Sequence, residues 1–324
     1  MALLISEDDV RVLLDMPTTL EAVEESFRLQ AAGEGWSQPR RRLELPDRVF
    51  LNYMVAADRK SGWMGAKLYS VARGSAQFVV LLYRVGTGEL VALIEADFLG
   101  QMRTGAASGI ATKYMSRSDA RVAGIVGTGS QARTQLEAIS HVRRLERVRA
   151  FGRDPLRRAD FCREMSERLD LPVTPATSAE EAVRDAEIVV TATTTVKPIV
   201  SGAWLAPGAH VNAMGSNMAQ KRELESDAVD RAGIIAVDSI EQAKIEAGDL
   251  IQGFGENAAR WTGVRELAEI VSGKLPGRNG PTDITLFKSN GIAAWDIAVA
   301  ARIFERAERD GVGRRIPLGE TRSR

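Results

Sequence analysis

The stretch RVAGIVGTGSQARTQLEAI, residues 121–139, limits what this 324-residue chain can fold into more than any other. An apolar strand runs into Gly127-Thr128-Gly129-Ser130-Gln131-Ala132 and then directly into a helix. Gly127 permits the tight turn, Gly129 lets the backbone reach a pyrophosphate, and Ala132 lets the helix pack close to the strand. The helix N-terminus offers free N–H groups and the positive end of its dipole to the phosphates. A glycine motif by itself is weak; between a strand and a helix it predicts a Rossmann NAD(P)-binding domain. The segments RVRAFG, EIVVTA, HVNAMG and GIIAVD repeat the short apolar strand with helical segments between them, the pattern of a parallel sheet with crossover helices. KLPGRNGPTD then reads as a loop and ITLFKS as a last strand.

The first hundred residues follow another pattern. Ser6 starts a helix with acids in its first turn, and TLEAVEESFRLQAAGEG after Pro17 is a second helix that stops at Gly33. RVFLNYMVA, MGAKLYSVA, AQFVVLLYRV and LVALIEA alternate as strands, with GTGE at 86–89 as a hairpin turn, giving a mostly antiparallel sheet. Residues 97–115 form one helix in which Gly105 and Gly109 each cost roughly 1 kcal/mol relative to alanine. Two readings of those glycines stand: tight helix–helix packing, or contact with a cofactor. AAWDIAVAARIFERAERDG carries an apolar stripe that returns it to the first domain. The expected architecture is α/β: a Rossmann domain, 117–291, inserted in an α+β domain made of 1–116 and 292–324.

The second strand of a dinucleotide fold ends about 20–25 residues after the first glycine, where an acid would bond the ribose hydroxyls of NAD. Here Gly152 leaves room and Arg153 offers a planar fork to a 2′-phosphate, so NADP(H) is preferred and NAD(H) is the second choice. Asp154 opposes this if the turn shifts by one residue. Thr193 in TATTT and Met214 in NAMGSN follow later strands and are placed near the nicotinamide.

Composition removes several classes. Lys+Arg and Asp+Glu both total 43, so no net field draws nucleic acid or an anionic membrane. The lone Cys162 sits on the apolar side of a helical pattern and fits a reducing compartment. His141 and His210 lack metal-ligand spacing, so no metal is expected. The apolar N-terminal run is shorter than a signal segment, and no stretch reaches the about 18 apolar residues of a membrane span. A cytoplasmic protein is expected.

The segments GAKLYS, MRTGAASGIATKYM, GIVGTGSQARTQLEA, VTATTTVKPIV, AHVNAMGSN, VDSIEQAK and FKSNGIAAWDIAVA run in order through nearly the whole chain. In that combination the sequence resembles the family of ornithine cyclodeaminase, mu-crystallin and archaeal alanine dehydrogenase. The resemblance implies a homodimer whose substrate and dimerisation domain is built from both chain ends, and a site for an amino acid or its imine. Arg103 takes the position of the family's carboxylate-binding arginine, and Lys67 that of the lysine beside the reacting carbon. Arg41, two residues after Pro39, matches a third cation; Arg40 competes with it, and a solvated basic run is the plainer reading of 40–42. Thr104 is placed near a cofactor phosphate.

Two departures bear on the reaction. Asn217, grouped with the substrate site, stands where cyclodeaminases carry an aspartate for acid–base work, and an amide does not exchange a proton at neutral pH as a carboxylate does. The segment between Lys67 and Phe78 is shorter than in the alanine dehydrogenase and cyclodeaminase branches, with Gln77 near their threonine, so no relative's substrate carries over directly. The resemblance therefore implies an NAD(P)H-dependent oxidoreductase that reduces a ketimine or imino acid to an amino acid, or runs the reverse. Two rivals stand beside it: a cyclodeaminase-type lyase that uses bound NAD and releases ammonia, and a cofactor-loaded binding protein without turnover.

Overall fold

The apolar N-terminal run is itself a strand, β1 (Ala2–Ile5), and Ser6 ends it by capping helix α1 (Glu7–Leu13). The Ser6 hydroxyl accepts from Asp9 N–H while the Asp9 carboxylate accepts from Ser6 N–H, a reciprocal box of the kind that contributes about 1 kcal/mol. Asp15 caps α2 (Met16–Ala31), whose first turn contains Pro17, and Gly33 (φ +75°) lies just past its end. Strands β2 (Gly35–Ser37), β3 (Arg41–Leu45), β4 (Val49–Asp58), β5 (Trp63–Ala72), β6 (Ser75–Arg84) and β7 (Leu90–Glu95) precede helix α3 (Asp97–Met115). From β4 to β7 they form an antiparallel meander, as the alternation predicts. β1 joins it parallel to β7, and β2 and β3 both pair with β4.

Beyond α3, strands and helices alternate: β8 (Val122–Val126), α4 (Ser130–Val142), β9 (Arg147–Phe151), α5 (Pro155–Leu169), β10 (Val173–Pro175), α6 (Ala179–Val183), β11 (Ile188–Thr191) and β12 (His210–Ala213). Then come α7 (Ser226–Asp230), β13 (Ala232–Val237), α8 (Ile240–Glu246), α9 (Gly248–Phe254), β14 (Val264–Glu266), α10 (Leu267–Val271) and β15 (Ile284–Lys288). Their sheet is parallel throughout, in the order β10-β9-β8-β11-β12-β15-β13-β14. Strand order reverses between β8 and β11, and the crevice outside their carboxyl ends is where such sheets bind ligands. β15 is buried along its whole length and lies between β12 and β13, where both of its edges are paired. Of the two readings of Gly105, packing is the one observed: a Cβ there would collide with the Thr134 carbonyl of α4.

From Gly291 the chain rejoins its first part. Helix α11 (Ala293–Asp310) lays Trp295, Ile297, Ala300, Ile303 and Phe304 against α2, β4 and β5, with edge-to-face contacts of Trp295 on Phe27 (5.2 Å) and Phe304 on Trp63 (5.6 Å). The last strand among the described residues is not ITLFKS but β16 (Arg314–Ile316), antiparallel to β1. Residues 1–317 are described by this computed structural model, and they divide into two compact units: Met1–Arg103 with the chain from Gly291 onward, and Thr104–Asn290. No described helix is long and apolar enough to cross a membrane.

Candidate active site

In the unit from Thr104 to Asn290 the glycine turn has the geometry its sequence requires. Gly127 sits at φ +109°, and a Cβ on it would strike the Ala192 carbonyl, so no other residue fits. Gly129 is the N-cap of α4, has no side-chain cap bond, and would point a Cβ into open space. Ala132 is fully buried beneath it. This is the fit a pyrophosphate needs: uncapped N–H groups at a helix start and an unobstructed approach. Ser130 is exposed on the first turn, and Gln131 ends in a buried oxygen with no hydrogen-bond partner among the described residues, an atom that a sugar hydroxyl would satisfy. Thr104, on α3, is tied to α4 through its carbonyl, which accepts from Gln135 Nε2 (3.1 Å).

The turn after β9 corrects one expectation. Gly152 is buried, and the space beside it is filled by the Thr128 hydroxyl, which a Cβ would displace. The glycine therefore seats Thr128 rather than leaving room for a phosphate. Arg153 is exposed, and Asp154 is the N-cap of α5, its Oδ1 accepting from Leu156 N–H (2.9 Å) and Arg157 N–H (3.2 Å). Arg158 donates to the Gly152 carbonyl (3.1 Å) and lies over the Phe151 ring.

The loops after β11 and β12 are held by a residue that charge pattern alone conceals. Glu223 is fully buried; Oε1 accepts from Thr193 N–H and Thr193 Oγ1, and Oε2 from Thr191 Oγ1 and Gly215 N–H, all at 2.7 Å. Burial pushes its carboxyl upward against the pull of Lys288. Asp249 Oδ1 accepts from the Glu223 and Leu224 N–H groups, and Lys288 Nζ bridges Asp249 Oδ2 (3.1 Å) and the Ser216 carbonyl (2.6 Å). Thr193, Met214 and Asn217 are half-buried in the segments this network fixes. In KRELESD nothing sets Glu223 apart from a solvated acid, whereas Lys288 at the end of the apolar run ITLF is a signal of the kind that marks Lys67.

In the other unit a second polar cluster is buried. Lys67 stands on β5 directly between Met54 and Val80 of the neighbouring strands, both fully buried, so its side chain leaves from the core face. Lys67 Nζ donates to Asp296 Oδ1 (2.7 Å), and Arg103 Nε donates to the same oxygen (3.1 Å). Lys67 is 3% exposed, Arg103 8% and Asp296 0%. Gly291 (φ +75°) has no room for a Cβ because the Arg103 guanidinium crosses it, and its carbonyl accepts from Arg40 Nη2 (3.4 Å). The Phe78 ring lies 5.5 Å from Lys67 Nζ, and the Trp295 ring 5.8 Å from Arg103 Cζ. Burial, helped by Arg103 and Arg40 and resisted by Asp296, lowers the Lys67 ammonium to about 8. Burial also raises the Asp296 carboxyl, but Arg103 and then Lys67 outweigh it and hold that group below its ordinary value.

Arg40, not Arg41, is the third cation of this cluster. Arg40 is 7% exposed, whereas Arg41 opens β3 on its outer face, opposite Tyr53 and beside Leu43 and Leu51. Successive residues leave an extended chain on opposite sides, so a shift of one exchanges the buried arginine for the exposed one. Sequence reasoning also passed over Asp296. Its signal was available: a carboxylate inside the apolar stripe of α11, next to Trp295.

A dinucleotide cradle on a parallel sheet and a buried set of cations suited to a carboxylate define a class, the nicotinamide-dependent enzymes of amino and imino acids. Within it the chain belongs to the ornithine cyclodeaminase/mu-crystallin family, whose sequence profile matches residues 2–311. It is 38% identical over 261 residues to a Δ1-pyrroline-2-carboxylate reductase of Bacillus cereus, covering 78% of this chain and 80% of that one. The Δ1-pyrroline-2-carboxylate reductase of Thermococcus litoralis, solved with NADH and L-proline, is 36% identical with a TM-score of 0.93, over 97% of this chain and 100% of that one. An archaeal alanine dehydrogenase dimer with bound NAD is 31% identical with a TM-score of 0.92, over 98% and 99%.

Proposed function

We propose that this protein is an NAD(P)H-dependent reductase of a small cyclic imino acid, a ring C=N bearing a carboxylate on its carbon, as in the substrate named for the pyrroline-2-carboxylate reductases. The observation that carries the reading is the buried cluster of Lys67 and Arg103 on one Asp296 oxygen. Two cations sharing one carboxylate in a buried site suit a second, incoming carboxylate. Arg103 and Arg40 grip that group, and Lys67 delivers a proton to the ring nitrogen. When bound, the reduced dinucleotide supplies the hydride for the imine carbon. Asn217 can orient the substrate by hydrogen bonding and does not exchange a proton, which sets the chain apart from a cyclodeaminase.

Gly127, Thr128, Gly129, Ser130, Gln131 and Thr104 serve the phosphates and sugars, and Thr193 and Met214 the nicotinamide. For the 2′-phosphate, Arg153 is exposed in the turn before α5, and the Asp154 carboxylate is engaged in its cap. This supports NADPH over NADH. The protein works as a homodimer, a reading favoured by the outward Leu43, Leu45, Leu51 and Tyr53 on β3 and β4. The buried, unreactive Cys162, raised by its burial, suits a cytoplasmic enzyme.

The test is cofactor oxidation at the nicotinamide absorbance, with NADPH and NADH in parallel, against five- and six-membered cyclic ketimine carboxylates. Turnover is expected, faster with NADPH; ammonia release from a diamino acid without net cofactor consumption would move the chain to the lyases. Arg153→Asp is expected to raise the Michaelis constant for NADPH by about tenfold or more and to leave NADH nearly unchanged, since a charge-assisted phosphate contact is worth about 1.5–3 kcal/mol. Equal effects on the two cofactors would take Arg153 out of the 2′-phosphate site.

A further inference from the structure

We infer that Asp296 is the positioning residue of this site: with one oxygen it fixes both Lys67, the proton donor of the proposed reaction, and Arg103, its carboxylate clamp. The inference rests on the reductase reading for its kinetic consequences, and on geometry and the charges around Lys67 for the rest. Asp296 approaches from α11, Lys67 from β5, Arg103 from α3, and Arg40 from the segment before β3. Three of these four groups are cations, and Asp296 is the sole carboxylate among them. Without it, burial, Arg103 and Arg40 all act on Lys67 in one direction, toward the neutral amine.

The cluster is also poorly arranged for a purely structural role. A buried ion pair contributes little to stability unless its remaining lone pairs are satisfied. Asp296 Oδ2 has no hydrogen-bond partner among the described residues, and both cations converge on the other oxygen. Such exceptions among buried polar groups tend to mark function. What the arrangement achieves is geometric: Lys67 Nζ and Arg103 Nε lie within hydrogen-bond distance of one atom, which sets the spacing between proton donor and carboxylate clamp.

The experiment compares native protein, Asp296→Asn and Asp296→Glu. The pH dependence of kcat/KM for imine reduction is measured beside the titration of Lys67, followed by NMR of protein labelled at the lysine ε-carbon and assigned by the signal lost in Lys67→Arg. Loss of an opposite charge at this range shifts a neighbour by about 1–3 pH units. In Asp296→Asn both the kinetic limb and the Lys67 titration are expected to move down by that amount, activity recovering partly as pH is lowered, with the cofactor Michaelis constant unchanged. Asp296→Glu should restore most of the Lys67 titration while raising the substrate Michaelis constant, because its carboxylate is displaced by one methylene. An unmoved Lys67 titration in Asp296→Asn overturns the inference. If that variant does not fold, a Glu variant with native titration and native substrate Michaelis constant overturns it equally. Absence of imine turnover by the native protein defeats the reductase reading instead, and the NMR titration still decides the role of Asp296.

Discussion

Lys67→Ala will lower imine reduction by about 10²–10⁴-fold, the range for removing a positioned acid, while NADH and NADPH bind as before. The cofactor cradle lies on other elements, β8, α4 and β9, so its affinity tests whether the effect is local. Loss of fold is not the expected cause. Removing one partner of a buried pair is costly when it strands the other, but Asp296 keeps Arg103 at 3.1 Å. The ammonium is itself a burden on the native state, because burial lowers it from 10.5 to about 8. The protein bears the cost of the buried charge below pH about 8 and sheds it as pH rises from there toward 10.5. That relief offsets part of what truncating the buried side chain and removing one of the two partners of Asp296 costs, so the variant should remain folded at neutral pH. In the reductive direction the charged form is the donor, so kcat/KM stays level below pH about 8 and falls above it; in the oxidative direction it rises through the same point. Lys67→Arg should abolish this limb and most of the rate, since a guanidinium does not release its proton. Near-normal turnover in Lys67→Ala would remove Lys67 from the mechanism.

Period and turn chemistry made much of the fold legible. The antiparallel meander, the 97–115 helix and the strand–glycine–helix unit all follow from patterns within one element. What escaped depends on partners distant in sequence. ALLI is too short to announce a strand and becomes one because β7 and β16 flank it. ITLFK gives no sign that it inserts between β12 and β13. The same division holds in the site. Lys67 stood out as a lysine inside an apolar strand, and Gly127 as a glycine in a tight turn. Choosing Arg40 over Arg41 required knowing which residue before β3 turns inward. The space beside Gly152 is open in the sequence pattern and taken up in the fold by the Thr128 hydroxyl. Glu223 and Asp249 sit in charge-rich segments that look solvated, and only the fold reveals that both are buried.

Glu223 therefore carries the other large expected effect. Glu223→Leu will destabilise the protein by about 3–5 kcal/mol and sharply weaken dinucleotide binding, because it strands four donors at once. Two are backbone N–H groups, of Thr193 and Gly215, which have fixed positions and cannot turn to another acceptor. Two are the hydroxyls of Thr191 and Thr193, which can rotate. The difference predicts that Glu223→Gln is not conservative. A glutamine keeps one oxygen and replaces the other by an NH₂ group, which must then face the N–H of either Thr193 or Gly215, donor against donor. Its cost should fall between native and leucine, about 1–3 kcal/mol for the one unsatisfied amide. The loops involved follow β11 and β12 and carry Thr193, Met214 and Asn217, so the loss should exceed a general softening: NADH should raise the melting temperature of the native protein well and of the leucine variant hardly at all. Urea midpoints in the order native, Gln, Leu, with cofactor affinity falling in the same order, are the expected result. A leucine variant that binds dinucleotide as tightly as the native protein would mean that the 191–195 and 212–217 segments hold their shape without Glu223.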